Sequence, residues 1–85
     1  MSTMVDVELD ETYKDIVRLL KEDGCTTVEN LPYSDLEYPF IYKGMSVEDY
    51  WKERVYYGTH WDDIRKGTYE PMWKQRGEEH ERFRL

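Results

Sequence analysis

The sequence is short of everything that usually staples or anchors a small protein. It holds a single cysteine, Cys25, in 85 residues, which excludes an intrachain disulfide. A small secreted domain with a thin core ordinarily carries several. No stretch approaches the roughly 18 apolar residues of a membrane span. The opening Met-Ser-Thr-Met-Val-Asp has neither a basic cluster nor an apolar run, so no secretory leader is expected. The five glycines, at 24, 44, 58, 67 and 77, stand apart, so the chain lacks a glycine-rich phosphate loop. These shortages predict a cytoplasmic protein, in its native or a host cell, without membrane contact.

Candidate chemistry is thin for the same reason. His60, Asp62 and Asp63 form the one local group that resembles a metal or acid–base cluster, with His60 and Asp63 on one helical face. Zinc normally takes three or four protein ligands. His80, the second histidine, stands between Glu79 and Glu81 in a charged tail. Both histidines are therefore expected at the solvated surface, with neither metal nor cofactor. Cys25 follows Asp23 and Gly24, and a nearby acid raises a thiol pKa rather than lowering it, so a packed thiol is expected rather than a nucleophile. No enzyme activity is expected.

What the sequence does have is aromatic side chains and acid. Aromatics make up 15% of the chain, with eight Tyr and three Trp. Each buries about 150–250 Å², so a few of them can form a core that the 39% apolar fraction would otherwise leave thin. The length allows one domain. The net charge of −7 is unevenly spread. Residues 1–49 hold twelve acids against four bases, while residues 50–85 hold seven acids against eight bases and are nearly neutral. Bulk nucleic-acid binding needs a surplus of Lys and Arg, so this balance favours a basic partner instead.

The pattern along the chain is mainly helical: a small bundle of three to four helices with an irregular middle. Val5, Leu9, Tyr13, Ile16, Val17 and Leu20 recur at steps of three and four, predicting a helix over 3–23 with Thr3 and Asp6 at its cap and Gly24 as its stop. The alternation from Val5 to Asp10 supports a rival, a strand followed by a helix from Asp10. In the middle, Thr26–Val28 and Phe40–Tyr42 could pair as a minimal hairpin, and Ser34 with Glu37 has capping-box spacing. Ser46 caps a second helix over 46–57, closed by Gly58. Thr59 caps a short third helix through Lys66, with Trp61 and Ile64 inward and Gly67 as stop. Pro71 suits the first turn of a fourth helix, weakened in its middle by Gly77, and residues 78–85 read as a tail that frays.

The stretch Val55–Gly67 resembles the core of a helix-turn-helix motif, with Gly58 as the turn glycine and Ile64 as the inward residue of the second helix. That resemblance implies a nucleic-acid surface over residues 46–67 involving Arg54, Thr59, Arg65 and Lys66. Arg54, however, occupies the place of a small residue, and Asp62 and Asp63 would repel phosphates. The aromatic excess points elsewhere, because Tyr and Trp are favoured interface anchors. Tyr33 and Tyr38, framed by Glu29, Asp35 and Glu37, together with Glu22 on the first helix, form the expected partner-binding set. The function read from the sequence is therefore a small acidic protein-interaction module. It would act as a modulator or inhibitor docking on a basic surface of a larger protein, with a nucleic-acid-handling protein as one candidate, as a viral or mobile-element accessory protein would. A helix-turn-helix nucleic-acid binder and a structural assembly subunit are the alternatives.

Overall fold

The computed structural model describes residues 7–31 and 38–81. Four helices follow one another: α1 (Glu11–Glu22), α2 (Val47–Thr59), α3 (Trp61–Lys66) and α4 (Met72–Gln75), with a 3-10 turn at Val28–Asn30 between α1 and α2. The fold is mainly helical, and no strand forms among the described residues.

The first helix begins at Asp10 rather than Thr3. Residues 7–10 adopt neither helix nor strand, and residues 1–6 lie outside the described part. Asp10 is extended, and its side chain accepts the Tyr13 amide at 3.1 Å, which satisfies one of the orphan donors of the first turn. The competing cap at Thr3 would have carried the helix through Asp10 itself. At the other end Gly24 takes a φ of 85°, with Gly24 N–H bonded to the Lys21 carbonyl and Cys25 N–H to that of Leu20. This left-handed closure closes α1, and the same pair of bonds recurs at Gly67 and Gly77.

The expected hairpin does not form. Thr26–Val28 instead meets the entry to α2: Val28 N–H bonds to Met45 O at 2.9 Å, and Val47 N–H to Thr26 O at 3.1 Å. Phe40–Tyr42 folds into tight turns, with Ile41 N–H on Tyr38 O and Met45 N–H on Tyr42 O. Three consecutive apolar side chains gain more from burial there than from a two-stranded ribbon, which is marginal in water. Phe40, Ile41 and Met45 end up fully buried with Val28, Val47 and Tyr50. The Ser34–Glu37 capping box lies outside the described residues.

Ser46 caps α2 as expected, accepting the Asp49 amide at 3.1 Å. Gly58 does not end this helix. It lies inside the last turn, and His60 is the single residue between α2 and α3. Thr59 therefore does not cap α3; its hydroxyl donates to the Tyr56 carbonyl at 2.9 Å. Starting α3 one residue late rotates its side chains, so Trp61 points outward rather than inward. Pro71 precedes α4 as its cap instead of entering its first turn, and α4 ends before Gly77. Residues 78–81, expected to fray, return to the body: Lys43 N–H bonds to Glu81 O at 3.1 Å, and the His80 ring stacks on Tyr42 at 3.7 Å.

Candidate functional site

Helix α1 turns a charged face outward. Val17 is buried, and Tyr13, Ile16 and Leu20 pack on the core, with the Tyr13 ring 5.3 Å from that of Trp51 on α2. The opposite side carries Glu11, Asp15, Leu19 and Glu22, all exposed and all within one helical sector. Arg18 lies beside them and bridges Asp15 at 3.5 Å and Glu22 at 3.1 Å. Three carboxylates and one guanidinium thus frame Leu19, which remains 54% exposed. On the far flank Lys14 and Lys21 edge a groove of about 460 Å³ floored by Leu9 and Val17, and Lys21 ties α1 to Glu48 of α2 at 3.5 Å.

Of the other residues singled out for partner binding, Glu22, Glu29 and Tyr38 lie among the described ones, each in a different setting. Glu22 stands on the α1 ridge. Glu29 serves a loop: its carboxylate accepts the Gly44 amide at 2.8 Å, and that bond holds its pKa below the ordinary value. Tyr38 is half-buried, stacked on Phe40 at 5.1 Å and edge-on to Tyr57 at 5.4 Å. Tyr33, Asp35 and Glu37 lie outside the described residues.

Of the set implied by the helix-turn-helix resemblance, Arg54 sits over aromatic faces, its guanidinium 5.0 Å from the Trp51 ring and 5.5 Å from Tyr38. Arg65 and Lys66 occupy the last turn of α3, whereas Asp62 and Asp63 occupy its first turn. That first turn is where such a motif presents its base-reading residues. The glycine turn of the resemblance is absent, because Gly58 is helical.

The histidines are not free surface residues. The His60 ring stacks on Tyr56 at 3.9 Å with Nδ1 2.8 Å from the Tyr56 carbonyl. His80 is clasped by Tyr42, by the edge of Trp73 and by Glu78, whose carboxylate is 3.0 Å from Nε2. Cys25 donates to the Asn30 carbonyl at 3.1 Å. Among the described residues, no three or more His, Cys, Asp or Glu side chains come together where they could hold a metal ion.

Sequence reasoning missed Glu53. It is 2% exposed, the only buried charged side chain among the described residues. Its two carboxylate oxygens accept the amides of Met72 and Trp73 at 2.9 and 3.0 Å. Burial pushes its pKa up, and the two amide bonds pull it back in part. Nearby, Trp73 Nε1 donates to the Phe40 carbonyl at 2.8 Å, and burial raises the Tyr42 phenol to about 12. Glu53 stands three residues after Tyr50 and four before Tyr57, so its place on the apolar face was readable. Its partners, 19 and 20 residues further on, were not.

No helix among the described residues is long and apolar enough to cross a membrane. No known family model, curated protein or solved structure matches the chain, so function must be argued from the side chains themselves.

Proposed function

We propose that the protein is a small interaction module that docks the outer face of α1 onto a basic surface of a larger protein, and that it modulates or blocks whatever that surface does. The observation that carries the reading is Leu19. A large aliphatic side chain more than half exposed, with Asp15 and Glu22 one turn to either side and Glu11 a turn beyond, has the make-up of an interface anchor inside a charged rim. The complementary site is an apolar pocket ringed by Lys or Arg. Charge of this kind acts mainly on encounter, and the anchor acts mainly on residence.

The test begins with co-purification of the full chain from its native or host cell and identification of the bound protein. Binding of that protein is then followed against salt. Association should slow as screening shortens to about 8 Å at physiological ionic strength. Reversing Asp15 and Glu22 to Lys should lower the on-rate by about tenfold, and Leu19→Ala should raise the off-rate by a similar factor. Asp35→Lys and Glu37→Lys extend the same series. The reading is lost if these variants bind as the parent does while Arg65→Ala and Lys66→Ala abolish binding and the bound species is a nucleic acid.

A further inference from the structure

Helix α3 presents an ordered face to solvent. At 100° per residue, Trp61 and Arg65 stand one turn apart on one line of the helix, and Asp62 and Lys66 stand one turn apart on the next. All four are exposed, and no residue of α3 is buried. Trp61, at 60% exposure, exceeds Leu19 as the most exposed large apolar side chain among the described residues. The charges around it are also unspent. Arg18, Lys21, Lys43, Lys74 and Arg76 each form an ion pair, whereas Asp62, Arg65 and Lys66 form none with any described residue.

We propose that this face docks a second copy of the chain, the two α3 helices lying antiparallel across a two-fold axis at the level of residues 63 and 64. Such an axis is isologous, so each contact is made twice. It sets Asp62 of each copy against Lys66 of the other. It also lays each Trp61 ring beside the other copy's Arg65 guanidinium, a cation–π pairing. The charge order selects this direction: a parallel two-fold would set the Asp62–Lys66 line of one copy against the Trp61–Arg65 line of the other, bringing Lys66 against Arg65 and leaving Asp62 without a cation. The net charge of −7 does not forbid the contact, because the excess acid lies in residues 1–49 and residues 50–85 are nearly neutral. A six-residue helix offers a small interface, so the dimer forms and dissociates readily. The inference does not depend on what α1 binds.

Sedimentation velocity on the full chain reads it directly. The mass should move from 10.4 kDa toward twice that value as concentration rises from roughly micromolar to millimolar. Trp61→Ala should stay monomeric over the same range. Asp62→Lys and Lys66→Asp, made separately, should each stay monomeric. Mixed one to one, they should recover the dimer, because one chain then presents two lysines at these positions and the other two aspartates. Circular dichroism checks that each variant keeps its helices. A wild-type chain that remains monomeric throughout, single variants that associate as well as the parent, or a mixture that stays monomeric would each overturn the proposal.

Discussion

Helices α3 and α4 face the same difficulty and meet it in opposite ways. Helices shorter than about 12–15 residues are marginal in water, and these have six and four. Helix α4 is held from inside. Met72 is buried, the Trp73 indole donates to Phe40, and Glu53 reaches across from α2 to take two amides of its first turn. Helix α3 has no buried residue and no side-chain cap, and it ends on a left-handed glycine. Internal anchoring uses up the side chains of α4 and leaves it little to offer a partner. The lack of it leaves α3 with its tryptophan and charges still available. Position in a fold and availability for binding therefore trade against each other within twenty residues of chain.

Removing the anchor is the strongest way to attack this contrast. Glu53→Ala strands two buried amides at about 1–3 kcal/mol each, so denaturant melts should show a loss of roughly 2–6 kcal/mol. Hydrogen exchange should speed up at Met72 and Trp73 and stay unchanged over Trp61–Lys66. If α3 loosens equally, the two helices are not held independently.

The same carboxylate gives the contrast a pH signature. Its folded pKa lies above the ordinary 4.5, so the folded chain holds that proton more tightly than the unfolded one. Stability from this group is therefore fully present below 4.5 and falls as pH rises through the folded value. Glu29 and Glu78 run the other way, because hydrogen bonds from Gly44 and Arg76 lower their pKa values. Their contribution is present above 4.5 and lost as pH falls through the lowered values. Denaturant melts across mildly acid pH should thus show a declining limb above 4.5 that disappears in Glu53→Gln.

Smaller effects sharpen the picture. Asp10→Ala removes the α1 cap and should cost about 1 kcal/mol, setting the scale for what one end of a helix is worth in this protein. Gly58→Ala should instead stabilise by up to about 1 kcal/mol. Gly58 lies within α2 without a positive φ, and a Cβ there would meet nothing within 4 Å. A loss of stability on this change would mean that the last turn of α2, from which α3 hangs, depends on the bare backbone. The smallest effect belongs to Trp61→Ala, which should change the stability of the dilute chain by no more than about 0.5 kcal/mol. A larger loss would show that α3 leans on the core after all.

Much of the helical frame was legible in the residues because helix ends are local. Ser46 caps α2 from its own side chain, and Gly24 and Gly67 close α1 and α3 by their own φ. Asp10 was legible too, as the start in the rival reading of the first helix. Gly58 misled because a glycine signals a stop only when its backbone turns left-handed, which sequence does not display. That error carried into α3: α2 runs two residues further than expected and α3 starts one residue later, and Trp61, an expected core residue, is exposed. The α1 acids were readable as exposed, but Leu19 was not readable as their companion, since it lies off the apolar stripe and nothing in its neighbours marks it. The hairpin and the Glu53 anchor failed for a different reason. Pairing Thr26 with Val47, or Glu53 with Met72, joins segments about twenty residues apart, and no local pattern specifies which distant backbone group will arrive.

The span between Glu53 and its two amides also sets a clock on the growing chain. At roughly 5–20 residues per second, Met72 and Trp73 are made about one to four seconds after the carboxylate that will receive them. Until then Glu53 has no donors with which to enter the interior, and Phe40 has no indole on its carbonyl. In that interval water is the partner left to the Glu53 carboxylate and the Phe40 carbonyl, and Met72 and Trp73 are the residues that replace it.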